Sequence, residues 1–214
     1  MIHAALFDFD GVIVKSEPLH KKTFLNILSP YGVEISDQRW FQEFAGTGSR
    51  RIFRALMDEY GIDADVEEFA EKRRAIFMQM CRDGRMHEMD GLKEFLKLLE
   101  EKGVKAAIVS GGNRGYIELL LESLGIKDSF SFIVSADDIP QRKPDPEPFL
   151  LASRELGVPP EECLVIEDSY AGCKAGRAAG MKVAWLRPYP SMEPPECDLV
   201  IENLKNEGLK SLLG

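Results

Sequence analysis

Residues 4–14 read AALFDFDGVIV and carry the clearest structural signal in the chain. A short apolar run followed by a turn is typical of a buried parallel strand. Side chains alternate along a strand, so Asp8 and Asp10 should project to the same side if the extended geometry continues. Two carboxylates held that close repel unless one is protonated or a cation lies between them. Gly11 lets the backbone turn sharply just after the pair. The ordinary structural interpretation is a strand that ends in a solvated acidic turn.

The composition is that of a globular protein and argues against several classes of partner. Hydrophobic residues make up 44% and charged residues 29% of the chain, which is ordinary for a soluble globular protein. Its 214 residues can form one large domain, or a core domain with a smaller insert. The formal net charge of −9 disfavours a nucleic-acid backbone as the main partner. We see no signal peptide and no apolar stretch long enough to cross a bilayer. We therefore expect a cytoplasmic monomer that binds neither nucleic acid nor membrane.

The cysteines give no sign of a metal site or a disulfide framework. They are Cys81, Cys163, Cys173 and Cys197. They form no CxxC pair, and the three histidines are scattered, so a zinc site is not expected. Buried free thiols are the expected state.

Beyond residue 90, short apolar runs alternate with amphipathic segments. The runs predict strands over 104–109, 130–134, 163–166, 182–186 and 199–201. The segments between them predict helices over 90–102, 116–124, 144–156 and 170–179. This alternation is typical of right-handed βαβ units, and it predicts an α/β fold with a Rossmann-like, doubly wound parallel sheet covered by helices on both faces.

An all-helical block separates the first strand from the others. Helices are predicted over 16–28 with Ser16 as N-cap, over 37–44, from a cap at Thr47 or Ser49 to 60, and from Asp63 or Asp65 to 82. We see no convincing strand in this block. The sequence thus predicts an α/β core of residues 1–14 and 84–214 and a helical insert of residues 15–83, joined by hinges near 12–15 and 83–90.

Polar groups follow four of the predicted strands. They are Asp8 with Asp10, Ser110, Lys143, and Glu167 with Asp168. Ligands of doubly wound sheets bind beyond the carboxyl ends of the strands. Carboxylate oxygens suit Mg²⁺, one aspartate can attack phosphorus, a lysine and a hydroxyl can hold phosphoryl oxygens, and a second aspartate can transfer protons.

Each group also has an ordinary structural interpretation. Ser110 can simply begin a strand-to-helix turn, Lys143 can be a solvated lysine, and Asp168 or Ser169 can cap a helix. These interpretations are individually reasonable. Their joint occurrence in this order, each after a predicted strand, favours one phosphoryl-transfer site.

Four segments carry a resemblance to a known family. They are Asp8-Phe9-Asp10-Gly11-Val12, Val109-Ser110-Gly111, Lys143-Pro144-Asp145-Pro146 and Glu167-Asp168. Together they resemble the four motifs of the haloacid dehalogenase superfamily of phosphohydrolases, over essentially the whole chain. The helical block is similar to the α-helical cap of the branch that holds β-phosphoglucomutase and many sugar-phosphate and phosphoglycolate phosphatases.

The resemblance implies a role for each candidate residue. Asp8 is the implied nucleophile and Asp10 the implied general acid/base. Mg²⁺ is implied to be held by Asp8, the backbone carbonyl of Asp10 and Asp168, with Glu167 in or just outside the ligand set. The implied phosphate- and substrate-binding residues are Ser110, Gly111, Asn113 and Lys143 in the core, with His20 and Arg50 in the cap. The implied partner is a small phosphorylated metabolite.

Departures from the family pattern narrow the choice. The dehalogenases lack an aspartate at the position of Asp10. Ala45 stands where the mutases of this branch have a cap lysine, and their arginine is displaced by one position, to Arg50. We therefore expect a phosphatase, with a β-phosphoglucomutase-type mutase as the alternative and a non-catalytic phosphometabolite-binding protein as a third hypothesis. His20 either assists the acid/base residue or is a packed cap residue. Arg51 and Arg54 are further anion-binding candidates, or part of a solvated face.

Overall fold

The computed structural model describes residues 1–214, which divide into two units. An α/β unit comprises Met1–Lys15 and His87–Gly214, and a helical unit comprises Ser16–Met86. The sequence places these boundaries after residues 14 and 83. In the structure the boundaries follow Lys15 and Met86, because the two connecting segments pair with each other within the α/β unit. The amide of Lys15 donates to the carbonyl of His87 over 2.9 Å, and Val14 forms an antiparallel bridge with Glu88.

The chain begins with strand β1 (Ala4–Phe7), all four residues of which are buried. The helical unit follows. Its helices are α1 (Ser16–Leu28), α2 (Asp37–Arg39) with a π-helical turn over Trp40–Phe44, α3 (Ser49–Tyr60) and α4 (Val66–Arg82). The four predicted helical segments are thus confirmed. An aromatic core that includes Phe24, Trp40, Phe53 and Phe69 holds them together, because each helix has an apolar face to bury.

Only one of the predicted helix caps in this unit is correct. The Asp65 carboxylate accepts from the amide of Glu67 over 2.7 Å and caps α4. The cap predicted at Ser16 is wrong, since its hydroxyl is buried without a hydrogen-bond partner. The cap predicted at Thr47 or Ser49 is also wrong, because Gly48 precedes α3 and the Thr47 hydroxyl instead donates to the carbonyl of Phe44.

The rest of the α/β unit alternates helices and strands. The helices are α5 (Leu92–Glu101), α6 (Arg114–Leu124), α7 (Glu147–Leu156), α8 (Tyr170–Ala178) and α9 (Glu207–Leu212). The strands are β2 (Lys105–Val109), β3 (Phe132–Val134), β4 (Cys163–Glu167), β5 (Lys182–Leu186) and β6 (Leu199–Ile201). The predicted alternation is confirmed. Helix α9 was not predicted, because six residues give too little periodicity to detect.

The six strands form one parallel sheet in the order β3-β2-β1-β4-β5-β6. Phe7 of β1 lies opposite Ile108 of β2 and Ile166 of β4. The strand order therefore reverses at β1, and its carboxyl end lies at the switch point where such sheets bind ligands.

Helices cover both faces of the sheet, as a parallel sheet requires. Leu6 packs on the face covered by α7 and α8, in a cluster with Phe149 and Trp185. Phe7 points to the other face, where its ring meets Phe95 of α5 edge to face at 6.0 Å. This alternation along β1 fixes the register of the residues that follow the strand.

Two helices begin later than the sequence predicts. Gly91 precedes α5 with a φ of +86°, a left-handed conformation that a helix interior does not allow. Helix α7 begins at Glu147, because Pro144 and Pro146 form the turn that leads into it.

All four cysteines are free; Cys81, Cys163 and Cys173 are buried and Cys197 is half-buried. None of the helices combines the length and the apolar character needed to cross a membrane.

Candidate functional site

Lys143 lies at the centre of the carboxyl edge of the sheet. It comes from the loop between β3 and α7, and its Nζ donates to Asp8 Oδ1 over 2.5 Å and to Glu167 Oε1 over 2.5 Å. A third bond, of 2.8 Å, goes to the carbonyl of Val109. All three bonds of the ammonium thus go to residues at the ends of β1, β2 and β4. These three strands are neighbours in the sheet, so the strand order brings the three partners of Lys143 together.

Asp8 directly follows β1, and its amide donates to the carbonyl of Ile166 over 2.9 Å. Burial raises the pKa of Asp8 to about 7, against the opposing effect of the Lys143 ammonium. Burial also disfavours the charged form of Lys143, but the carboxylates of Asp8 and Glu167 outweigh it and raise the pKa of Lys143. The lysine is therefore a permanent cation beside Asp8, and it is the group that favours the ionised form of that carboxyl.

Both carboxylate oxygens of Glu167 are occupied by donors of the chain. Oε1 accepts from Lys143, and Oε2 accepts from the amide and the hydroxyl of Ser169 over 2.9 and 2.8 Å. The side chain is fully buried. Glu167 is therefore placed to hold Lys143 in position, because a buried carboxylate of this kind needs all of its partners.

The space that Glu167 occupies exists only because residue 172 is glycine. A Cβ atom at Gly172 would lie 1.8 Å from Glu167 Oε1. We expect Gly172→Ala to displace the Glu167 carboxylate and to lower the free energy of unfolding by about 1–3 kcal/mol. Phosphatase activity should fall with it, because Lys143 loses one of its two anionic partners. Thermal melts and phosphate-release assays measure the two effects.

The matched control for Gly172→Ala is Gly115→Ala in α6. A Cβ at Gly115 would meet nothing closer than Asn113 Oδ1 at 3.8 Å. This variant should be neutral or slightly stabilising, because alanine is the better helix former. Equal loss in both variants would show that the Glu167 clash is not the cause.

The Asp168 carboxylate packs against the turn after β1. A Cβ at Gly11 would lie 2.0 Å from Asp168 Oδ2, and Gly11 has a φ of +80°. The backbone carbonyl of Asp168 accepts from the indole Nε1 of Trp185 over 2.8 Å. Gly11 thus lets the acidic ends of β1 and β4 approach each other closely.

These oxygen donors fit a hard divalent cation. No three His, Cys, Asp or Glu side chains together form a metal-binding cluster. The Lys143 ammonium forms ion pairs with both Asp8 and Glu167. Asp8 and Asp168 nevertheless come from adjacent strand ends, with the Asp10–Gly11 turn beside them. Mg²⁺ is commonly held by one or two carboxylates with water and substrate oxygens, so the donor set suits it without a larger cluster.

Asp10 is bound by a residue that the sequence did not indicate. Its Oδ1 accepts from the hydroxyl of Tyr116 over 2.8 Å. Tyr116 lies on α6, where the sequence shows only a helical residue. An aromatic residue within an amphipathic helix is usually part of the core, so no sequence signal would have identified this contact.

The segment after β2 places the other candidate phosphate-binding residues. Ser110 is nearly buried, and its Oγ accepts from the amide of Gly112 over 3.0 Å. The hydroxyl proton of Ser110 can therefore still donate to a phosphoryl oxygen. Gly111 is exposed with open space around its Cα. Asn113 caps α6 by accepting from the amide of Tyr116.

His20 and Arg50 belong to the helical unit. His20 stacks on Phe77, with ring centroids 4.4 Å apart, and its Nδ1 contacts the Arg73 guanidinium. Burial, reinforced by Arg73, lowers the pKa of His20 to about 3, so the imidazole is neutral at ordinary pH. Arg50 is exposed, and its Nε donates to both oxygens of Glu67 over 2.7 and 2.8 Å. Within this unit His20 is packed and Arg50 is ion-paired.

Comparisons with known proteins identify the family. The sequence model described as "Haloacid dehalogenase-like hydrolase" matches residues 5–186. The fructose-1-phosphate phosphatase YqaB of Escherichia coli is 31% identical over 182 residues, which cover 85% of this chain and 95% of that protein. The phosphoglycolate phosphatase of Nitrosococcus oceani is 31% identical over 185 residues, which cover 85% of this chain and 82% of that protein.

A solved structure supports the same assignment. The crystal structure of a HAD family hydrolase from Deinococcus radiodurans, with bound phosphate and sodium, has a TM-score of 0.84 and 26% identity, and the match covers 99% of this chain and 96% of that one. The family resemblance and the Rossmann-like fold expected from the sequence are thus confirmed. The chain therefore belongs to the haloacid dehalogenase-like hydrolases and is a phosphoric monoester hydrolase of that family.

Proposed function

We propose that this chain is a Mg²⁺-dependent phosphatase that hydrolyses a small phosphorylated metabolite, of the sugar-phosphate kind, through an aspartyl-phosphate on Asp8. The observation that carries the proposal is the position of Lys143, bound to the candidate nucleophile at the switch point of the sheet. The activities named for the relatives, on fructose 1-phosphate and phosphoglycolate, support the substrate class.

The residues of the chain account for the chemistry. Lys143 and the Ser110 hydroxyl bind phosphoryl oxygens and stabilise the charge that develops on them. An Asp8 oxygen attacks phosphorus while the ester P–O bond breaks, and Asp10 gives its proton to the departing alkoxide. Asp10 then takes a proton from a water that attacks phosphorus, which breaks the Asp8–phosphorus bond and releases phosphate.

The proposed metal would be held by Asp8, Asp168 and the backbone carbonyl of Asp10. When bound, Mg²⁺ supplies positive charge that neutralises the substrate phosphate and the carboxylates. We place Glu167 outside the ligand set, since both of its oxygens bind chain donors. We also propose that the helical unit acts as the specificity-determining cap, with His20 and Arg50 as its candidate substrate contacts.

A substrate panel tests the proposal. The purified protein is assayed for phosphate release from fructose 1-phosphate, phosphoglycolate, β-glucose 1-phosphate and nucleoside monophosphates. We expect turnover of at least one small phosphomonoester with Mg²⁺. Chelation should reduce it by about 100-fold or more, because several kcal/mol of charge stabilisation are lost, and added Mg²⁺ should restore it.

The alternatives give different results in the same assays. A mutase would isomerise β-glucose 1-phosphate, in the presence of a bisphosphate activator, faster than it releases phosphate. A binding protein would turn over no member of the panel and bind one of them tightly. Turnover that is unaffected by chelation would contradict only the proposed role of Mg²⁺, and the phosphatase activity itself would stand.

A further inference from the structure

The contact between Tyr116 and Asp10 joins two separate segments of the α/β unit. The phenol hydroxyl donates to Asp10 Oδ1 over 2.8 Å. Tyr116 is 8% exposed, and its ring meets Phe9 edge to face, with centroids 5.6 Å apart. The residue just before Asp10 thus packs on the same ring whose hydroxyl binds the Asp10 carboxylate.

The position of the Tyr116 ring is fixed from the other side as well. Its backbone amide donates to Asn113 Oδ1 over 2.9 Å in the first turn of α6. A Cβ at Gly112 would lie 3.3 Å from ring atom Cδ1 and 3.3 Å from Ser110 Oγ. The ring therefore lies tightly between Phe9 and the turn that carries Ser110, and its hydroxyl has little freedom to move.

We propose that Tyr116 is a positioning residue for proton transfer by Asp10, an inference that rests on the proposed function. By binding Oδ1, the hydroxyl fixes the plane of the carboxyl group, and in the proposed step the transferred proton is the one on Oδ2. As the ester bond breaks, that proton moves from Oδ2 to the departing alkoxide, and the resulting carboxylate accepts a stronger hydrogen bond from Tyr116. Tyr116 itself exchanges no proton with the substrate.

The inference predicts an effect that depends on the leaving group. An alkoxide leaves only with a proton from an acid, whereas p-nitrophenolate needs little assistance. We expect Tyr116→Phe to lower the single-turnover rate for a sugar phosphate by about 10-fold, as for the loss of a hydrogen bond to a charged group. The rate for p-nitrophenyl phosphate should fall by less than about threefold, with KM nearly unchanged for both. Single-turnover rates report the first phosphoryl transfer directly.

Two further variants interpret the result. Tyr60→Phe, which removes the hydroxyl of a more exposed tyrosine at the end of α3, should leave both rates unchanged. Asp10→Asn should show the same leaving-group dependence as Tyr116→Phe, only larger. Adding Tyr116→Phe to Asp10→Asn should cause no further loss on the sugar phosphate, because the hydroxyl acts through the carboxylate.

The outcomes separate the inference from the function on which it rests. If Asp10→Asn lowers both rates equally, the acid role of Asp10 is wrong. If Asp10→Asn shows the dependence but Tyr116→Phe is unchanged, faster, or equally slow on both substrates, the role of Tyr116 is wrong. Additive losses in the double variant would also overturn it.

Discussion

Asp8→Asn is expected to abolish measurable turnover, with a loss of about four orders of magnitude or more in kcat, as is usual when a nucleophile is removed. The amide has nearly the shape of the carboxyl group but cannot attack phosphorus. Phosphate-release assays measure the rate. Rapid-quench mass spectrometry should detect a phosphoryl adduct in the wild-type protein and none in the variant.

The Asp8→Asn protein should remain folded. Lys143 keeps its bonds to Glu167 and to the carbonyl of Val109, so the ammonium is not left buried without an anion. The matched control is Asp128→Asn, at an exposed aspartate in the turn before β3, which should keep the wild-type rate. Wild-type turnover in Asp8→Asn, with Mg²⁺ present, would exclude Asp8 as the nucleophile.

Lys143→Met is expected to reduce both activity and stability. Methionine fills much of the same volume but leaves Asp8 and Glu167 without their shared cation. We expect a loss of about three orders of magnitude in kcat, since removal of one stabilising donor commonly costs 10²–10³ and Asp8 also loses the charge that favours its ionised form. The free energy of unfolding should fall by about 3 kcal/mol, as for other broken buried pairs. Steady-state kinetics and denaturant melts measure the two losses.

The stability loss in Lys143→Met should depend on pH. Burial raises the pKa of Asp8 from 3.8 to about 7, so ionisation of Asp8 destabilises the fold. This cost is absent below about pH 4, grows as pH rises, and is complete above about pH 7. Because Lys143 offsets it, the variant should lose more stability at about pH 8 than at about pH 5.

The control for Lys143→Met is Lys97→Met, at a largely exposed lysine whose ion pair with Glu101 is 3.7 Å long. Such pairs contribute little, so neither activity nor stability should change appreciably. If Lys143→Met lost no more stability relative to the wild type at about pH 8 than at about pH 5, the charge argument would be wrong.

The sheet was predictable because its strands are short apolar runs separated by helical periods, which is how buried parallel strands differ from helices. What the sequence did not supply is the strand order, since pairing joins distant segments. The errors in the predicted helix boundaries have local causes. The left-handed Gly91 makes α5 begin later than predicted, and Pro144 and Pro146 do the same for α7.

The candidate site divides in the same way. Asp8, Ser110, Lys143 and Glu167 were candidates from the sequence because each is a polar residue at the end of a predicted strand or in the loop beyond one, and strand ends meet in space. Tyr116 and Gly172 were not among the candidates, because both lie within helices. Tyr116 contributes a hydroxyl that meets Asp10, and Gly172 contributes the space that the Glu167 carboxylate fills. Helical periodicity shows which face is buried, but not which atom on that face meets a carboxylate.

The pairing of the two connecting segments has a consequence for the evolution of this architecture. The chain leaves the α/β unit at Lys15 and returns at His87, and a single 2.9 Å hydrogen bond joins these residues. An insert whose two ends are tethered so closely places no demand of its own on the spacing or register of the strands, whatever its length. We therefore expect the helical unit to be replaceable, so that residues 16–86 can be exchanged for another insert with equally close ends while the sheet keeps its geometry.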